Sequence, residues 1–355
     1  MNKKQMLSLF TGLSLLALAS TSYAALTPKE ELGKLIFNDT NLSTPIGQSC
    51  ASCHNPATGF ADPDQFLPTS EGAVAGRFGR RNAPTITYAG LTPDFSISQF
   101  DSITATGGQF WDGRALNLFE QAKLPFLNPD ELNNPDINTV VTKVCSSTYA
   151  SLFKQVYGRT ACVKKFTATE FATAFNRIAE AITAFETNSE MNKFTSKFDA
   201  AQNGTATLTP QENNGFGLFR IQCSGCHTRV GPAFTNFNYK NIGLPKNTGF
   251  PFSTMDQTFV DKGLGKITAN PLHDGQFKVP NLRNVALTAP YMHNGVLMTL
   301  KDVVHFYNTR DVPGVWPAPE VSTNKDMTIG NLGFTSAQED EVVAFLMTLT
   351  DGYVP

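Results

Sequence analysis

The pattern Cys-x-x-Cys-His occurs twice, as Cys50-Ala51-Ser52-Cys53-His54 and as Cys223-Ser224-Gly225-Cys226-His227. At this spacing two thiols can add to the two vinyl groups of a haem. The adjacent imidazole then sits under the iron on the proximal side. Zinc and redox dithiols also use CxxC pairs, but neither calls for a following histidine in both copies. A chain with two such sites must fold around two flat apolar cofactors, and this limits it more than composition does.

Each site follows a copy of the same helix start. Leu26-Thr27-Pro28-Lys29-Glu30-Glu31-Leu32-Gly33-Lys34-Leu35-Ile36-Phe37 lines up with Leu208-Thr209-Pro210-Gln211-Glu212-Asn213-Asn214-Gly215-Phe216-Gly217-Leu218-Phe219. Thr27 and Thr209 read as N-caps, Pro28 and Pro210 as first helical residues, and Glu30 and Glu212 as the acids that complete capping boxes. The expected fold is mainly α, with two cytochrome c-like haem domains related by internal duplication. Residues 25–203 would form the first and residues 204–355 the second, divided in the small-residue stretch Asn203-Gly204-Thr205. Further helices are expected over Thr167 to Thr187, Leu300 to Tyr307 and Ser336 to Leu349, the last with a Ser336/Glu339 capping box. The Gly-, Pro- and Asn-rich stretches 228–252 and 308–334 read as loops packed on cofactor.

Residues 1–24 read as a secretory signal peptide. Lys3 and Lys4 precede an apolar run from Met6 to Leu18, and Ser22-Tyr23-Ala24 is a small-x-small cleavage site. The run is too short to span a bilayer as a permanent helix. Export places the chain in the periplasm, or associated with the cell surface, and not as an integral membrane protein. Loss of the two lysines and no acid moves the formal charge from −2 to −4. Nothing in that balance suggests nucleic-acid binding, and a mildly acidic surface suits a basic protein partner. Cys145 and Cys162 are the cysteines left over, either as a disulfide or as two buried thiols; an oxidising compartment favours the disulfide.

Axial ligands decide what a haem does: a sixth ligand favours electron transfer, an open site admits peroxide. The chain has five histidines, His54, His227, His273, His293 and His305. None lies between His54 and His227, and the first methionine after His54 is Met191. The first domain therefore lacks a distal histidine of its own, and an open first haem is expected.

Several linked motifs resemble the bacterial di-haem cytochrome c peroxidase/MauG superfamily over essentially the whole mature chain. They are Arg81-Asn82-Ala83-Pro84-Thr85, Phe110-Trp111-Asp112-Gly113-Arg114, Gln121-Ala122-Lys123-Leu124-Pro125, and Lys278-Val279-Pro280-Asn281-Leu282-Arg283-Asn284-Val285 running into Leu287-Thr288-Ala289-Pro290-Tyr291-Met292-His293. The resemblance implies roles. Trp111 corresponds to the tryptophan that couples the two haems, Gln121 to the distal-pocket glutamine, Pro125 to the proline over the first haem, and Glu131 to the acid/base glutamate. Asn82, Thr288 and Pro290 correspond to groups that hold a calcium ion between the domains, largely through carbonyl oxygens, which suits a hard cation. Read without the motif, Glu131 is a helix-start acid, Gln121 a surface residue and Trp111 a core aromatic.

Two departures from the family pattern sharpen the expectation. The best-known peroxidases carry a distal histidine on the first haem that leaves on reductive activation, and this chain has none there. At the place of their methionine ligand on the second haem stands Tyr307, as in MauG-like His/Tyr relatives; Met292 and Met298 are the alternatives. A third departure is Ile221, which stands where MauG carries the tryptophan that passes oxidising equivalents to a docked protein. The implied activity is reduction of H2O2 to water, through high-valent haem iron, with electrons from a small cytochrome or cupredoxin. The alternatives are a MauG-like oxidase of a partner protein's Trp or Tyr, and a plain electron-transfer cytochrome with two six-coordinate haems. Two covalently bound haem c groups and one Ca2+ are the expected cofactors, and a homodimer is compatible with the sequence. His293 is expected to lie behind the ligands or on a propionate, and His273 and His305 to be surface or structural.

Overall fold

The computed structural model describes residues 25–228 and 231–354, so the signal peptide expected at residues 1–24 lies outside the described residues. Helices α1 (Pro28–Asn38), α2 (Cys50–Cys53), α3 (Leu118–Lys123), α4 (Ile137–Cys145), α5 (Ala150–Tyr157) and α6 (Ala168–Glu186) come first. They are followed by α7 (Lys197–Gln202), α8 (Pro210–Gln222), α9 (Leu264–Thr268), α10 (Leu300–Thr309) and α11 (Ser336–Met347). The strands are two-residue pieces forming two antiparallel ribbons, β1 (Ser96–Ile97) with β2 (Ala105–Thr106) and β3 (Tyr239–Lys240) with β4 (Phe277–Lys278). Among the described residues no helix is long and apolar enough to cross a membrane.

The repeated helix starts form as their residues dictate. Thr27 and Thr209 accept the N–H of Glu30 and Glu212, and each carboxylate accepts the threonine N–H in return. The same box opens α6 at Thr167 and Glu170. In α11 the box lies one residue earlier than expected, on Thr335 and Gln338. Glu339 is drawn inward instead, where its carboxylate accepts from His305 and Asn308 and pairs with Lys301.

α1 packs on α6 and α8 packs on α11, each pair meeting at a glycine. A β-carbon at Gly33 would fall 1.9 Å from the Ala181 carbonyl oxygen, and one at Gly215 would fall 1.8 Å from that of Glu341. Only glycine allows the backbones this close. Leu32, Ile36 and Phe37 of α1 then bury against Ile178, Ile182 and Phe185 of α6, with the Val140, Val141 and Val144 face of α4. In the second cluster Phe219, Phe234, Val304, Phe306 and Phe345 do the same work. Each fully buried side chain of this size contributes about 1.5–3 kcal/mol. Phe198 of α7 lies 5.5 Å from Phe345, so α7 packs with the second cluster although it precedes residue 203. Cys145 at the end of α4 is joined to Cys162 by a disulfide.

Beyond the thiol sites, which stand 173 residues apart, the correspondence between halves returns to the 182-residue offset of the first helix. Gln109 bridges Ala115, and Tyr291 bridges Leu297. Inside these loops Phe110 and Gly113 have φ of 63° and 72°, and Met292 and Gly295 have φ of 74° and 60°. Asn117 caps α3 and Thr299 caps α10. The helices differ only in where they stop. Pro125 has no N–H to give to Gln121, so the Leu124 N–H takes that carbonyl and α3 ends, whereas α10 continues through Tyr307.

Candidate active site

His54 and His227 occupy matching places. The Nδ1 atoms lie 3.2 Å from the Phe60 carbonyl and 3.0 Å from the Phe234 carbonyl, both on residues with positive φ. An imidazole that donates Nδ1–H to a carbonyl leaves its Nε2 lone pair free for a metal. Burial holds both rings below the usual histidine range, His227 at about 4, so both are neutral at pH 7. Cys50, Cys53, Cys223 and Cys226 are free thiols beside these rings, and burial pushes Cys53 and Cys223 up to about 12. Two unpaired thiols and one neutral imidazole per half are the donor set that a covalently attached haem needs, so the residues fit the group.

A cavity of ≈ 480 Å³ opens in the second half. Cys223, Cys226, His227 and Tyr307 line it together, a size suited to a flat cofactor. Met292 also reaches its wall; Met298 does not, and is 45% exposed. Ile221 sits on the same wall with 76% of its surface exposed. The far wall carries Asn82, Pro84 and Trp111 from the first half.

Trp111 is fixed from both sides. Its Nε1–H donates to the Asn82 carbonyl at 2.9 Å, and its own carbonyl accepts the Lys278 N–H at 2.8 Å. The next residue, Asp112, pairs with Arg81 at 2.6 Å and Arg114 at 2.9 Å, and Arg81 also binds Asp261. Trp111 thus stands on the seam between the halves, in contact with both. Asn82, Thr288 and Pro290 also meet on this seam. The Asn82 amide contacts the Pro290 carbonyl, the Asn82 N–H donates to the His293 carbonyl at 2.8 Å, and all three line the cavity. Among the described residues there is no cluster of three or more His, Cys, Asp or Glu placed for a metal, so a cation here would rest on carbonyl and amide oxygens.

In the first half, Glu131 is not a helix-start acid. It lies in the turn that follows α3, where its carboxylate accepts the Asn128 amide at 2.7 Å. Two backbone bonds fix that turn, Ala73 N–H to the Glu131 carbonyl and Leu132 N–H to the Pro125 carbonyl. Burial raises the Glu131 carboxyl above the usual glutamate range, against the pull of Asn128 and Arg114. Its charge is felt by both Cys50 and Cys53, which places it beside the first pair of thiols. Gln121 is half-buried on α3, one turn before Pro125.

The remaining histidines separate clearly. His293 is buried, stacked on Phe277 at 3.6 Å, with Nε2 unpartnered and the ring held near 3 by burial. His273 is fully buried, bonded to Thr268 and to the Ile103 carbonyl, and it ties α9 to the β1–β2 loop. His305 is half-buried against Glu339.

Sequence reasoning missed two buried groups. Glu186 ends α6 with 4% exposure and an unpartnered Oε2, and burial pushes its carboxyl up to about 8. Its one signal was an acid directly after Phe185, on a helix face otherwise apolar. Lys278 was visible only as a motif residue. It lines the cavity, and burial pulls its ammonium down to about 7.

The profile of the di-haem cytochrome c peroxidase family matches residues 27–207. The chain belongs to the di-haem cytochrome c peroxidase family. It is 38% identical to the methylamine utilization protein MauG of Paracoccus denitrificans, over 90% of this chain and 88% of that one. It is 32% identical to the cytochrome c551 peroxidase of Nitrosomonas europaea, over 92% of this chain and 82% of that one. Among solved structures, the diheme peroxidase BthA of Burkholderia thailandensis superposes with a TM-score of 0.81 at 33% identity, covering 93% of this chain and 87% of that one. A MauG-like protein associated with microbial copper homeostasis superposes with a TM-score of 0.70 at 27% identity, over 92% of this chain and 91% of that one. The family name implies two haem groups, and the two histidine-and-thiol sites are residues that fit them.

Proposed function

We propose that this protein is a periplasmic di-haem c-type peroxidase that reduces H2O2 to water with electrons from a protein donor. The observation that carries the reading is the asymmetry between its halves. Where α10 presents Tyr307 to the second cavity, the first half has Pro125, a side chain with nothing to coordinate, next to a carboxyl raised by burial.

The haems, when bound, supply the iron at which peroxide is held and the oxidising equivalents that the donor then refills. Cys50 and Cys53 would hold the first through thioethers and Cys223 and Cys226 the second, and His54 and His227 would offer Nε2 to the iron. Tyr307 would close the second site. Glu131 takes the proton from the inner peroxide oxygen and delivers it to the outer one, so that water departs. The Gln121 amide orients the peroxide. Trp111 links the two sites. Overall, H2O2, two protons and two electrons give two molecules of water.

Asn82, Thr288 and Pro290 would hold one Ca2+ on the seam, with the carbonyl and amide oxygens such an ion prefers. The chain carries two cytochrome c-like domains that arose by internal duplication, divided near residues 203 and 204 with α7 crossing over to pack on the second core; the matched caps, glycine crossings and loops support the duplication. The donor is a small cytochrome or cupredoxin that docks where the cavity reaches the surface. A MauG-like role, oxidising a partner's Trp or Tyr, has the 38% identity to MauG in its favour. Against it stands Ile221, exposed at the cavity edge and without an oxidisable ring. The electron-transfer reading requires a sixth ligand on the first haem, which Pro125 does not provide.

The test is peroxide turnover by the holoprotein with a reduced small cytochrome c. Two molecules of cytochrome oxidised per peroxide consumed supports the reading. Oxidation of a partner protein with no cytochrome turnover favours the MauG-like alternative, and no reaction with peroxide rejects both.

A further inference from the structure

Lys278 makes one hydrogen bond with its ammonium group among the described residues, to the carbonyl of Gly108. That acceptor is uncharged, and the acid whose charge reaches the ammonium, Asp112, is the one already paired with Arg81 and Arg114. The same residue donates its backbone N–H to the Trp111 carbonyl, and both side chains line the cavity between the halves. Gly108 and Trp111 belong to one loop, which Tyr239 also clasps through the Gly107 carbonyl at 2.6 Å.

The charges around this loop otherwise cancel. Asp112 is held by Arg81 and Arg114, and Arg81 also binds Asp261, giving two acids against two guanidiniums. Lys240 on the neighbouring strand β3 pairs with Asp326. His293 is neutral because burial holds it near 3. Lys278 is therefore the group whose proton decides whether the surroundings of Trp111 carry an extra positive charge. A cation at Asn82 and Pro290 adds the same charge at every pH, so it moves the midpoint and leaves the assignment intact.

We propose that Lys278 is a positioning residue whose ammonium charge governs how much of the oxidising charge derived from peroxide resides on Trp111. The inference rests on Trp111 being the link between the two sites. The step is a one-electron exchange. Trp111 gives one electron to the haem pair that peroxide has oxidised, and the pair is reduced by one. The indole keeps its N–H proton because the Asn82 carbonyl that accepts it is not a base. A protonated Lys278 opposes the cation left on the indole, and a neutral Lys278 permits it. Burial lowers the ammonium to about 7, which brings the change into the working range.

The test treats the holoprotein with one equivalent of H2O2 between about pH 6 and about pH 9, around the lowered lysine value. The radical signal of the indole is read by EPR. In the native protein the signal rises severalfold with pH. Lys278→Met, which keeps the length and loses the charge, gives the high-pH amount throughout; Lys278→Arg, which keeps the charge, gives the low-pH amount throughout. Should Lys278→Met fail to load both haems, the contrast between the native protein and Lys278→Arg decides. A Lys278→Met or Lys278→Arg protein that keeps the native pH profile overturns the proposal and leaves the peroxidase reading standing. A native protein that does not react with peroxide at all overturns that reading, and this proposal with it.

Discussion

Pro125 and Tyr307 stand at the same step of two matching units, each seven residues after the first residue of its helix, Leu118 in α3 and Leu300 in α10. The loops before the helices match in bridge pattern and backbone sign, so the two positions correspond. One helix runs on and carries a phenol into the cavity; the other is broken by proline. On the proposed reading, a single substitution separates a closed site from an open one. Pro125→Tyr restores both the N–H that lets α3 continue and a ligand at its end. We predict that the first haem becomes six-coordinate and low-spin, and that peroxide binding, followed by stopped-flow absorbance, slows by more than about tenfold.

At the second site the same logic runs in reverse. Tyr307→Met exchanges an anionic oxygen ligand for a neutral thioether, which raises the reduction potential of that haem. Spectroelectrochemical titration should move one of the two midpoints upward and leave the other in place. If both midpoints stay where they were, Tyr307 is not the ligand, and Met292 becomes the alternative on the cavity wall.

Glu131→Gln keeps the Asn128 contact and removes the proton carrier. The rate of peroxide reaction should fall by about 10²- to 10⁴-fold, the usual scale for a lost acid/base group. In the native protein the carboxylate form must take the first proton, so the rate declines as pH falls through the Glu131 value. Burial raises that value, so the decline begins at higher pH than for an ordinary glutamate. The variant should lack this acid limb; a variant with the native rate and limb would remove Glu131 from the reaction.

Glu186, whose charge reaches the Cys50 thiol, carries a prediction for stability. Burial raises its carboxyl to about 8 in the folded chain, above its value when unfolded. Below the unfolded value both states hold the proton and the full stability is present. As pH rises toward about 8, the unfolded chain releases the proton first, and stability is lost. Thermal unfolding of the holoprotein should show Tm falling over this range. Glu186→Gln should flatten that fall, and an unchanged slope would mean the carboxyl is not buried as described.

Much of this was legible in the sequence because it rests on local chemistry. Capping boxes at Thr27 and Thr209 need only four residues each, and CxxCH needs five. Trp111, Glu131 and Tyr307 were reachable through motif spacing, since each lies at a fixed distance from a recognisable neighbour. Other features depend on contacts between segments far apart. The one-residue shift of the α11 cap follows from Glu339 being recruited by His305 and Asn308 across the second core. The burial of His273 follows from the Ile103 carbonyl of the other half, 170 residues away. The role of Lys278 emerges only when the charges of Arg81, Asp112, Arg114 and Asp261 are seen to cancel around it. The equivalence of Pro125 and Tyr307 is masked in sequence because the thiol sites between the matched segments stand 173 residues apart, while the helix starts and these two positions stand 182 apart.

The central claim is that one haem is open and the other closed, and EPR of the ferric holoprotein as isolated tests it most directly. The account predicts one high-spin signal, from the site of His54 and Pro125, and one low-spin signal, from the site of His227 and Tyr307. Two low-spin signals would contradict it.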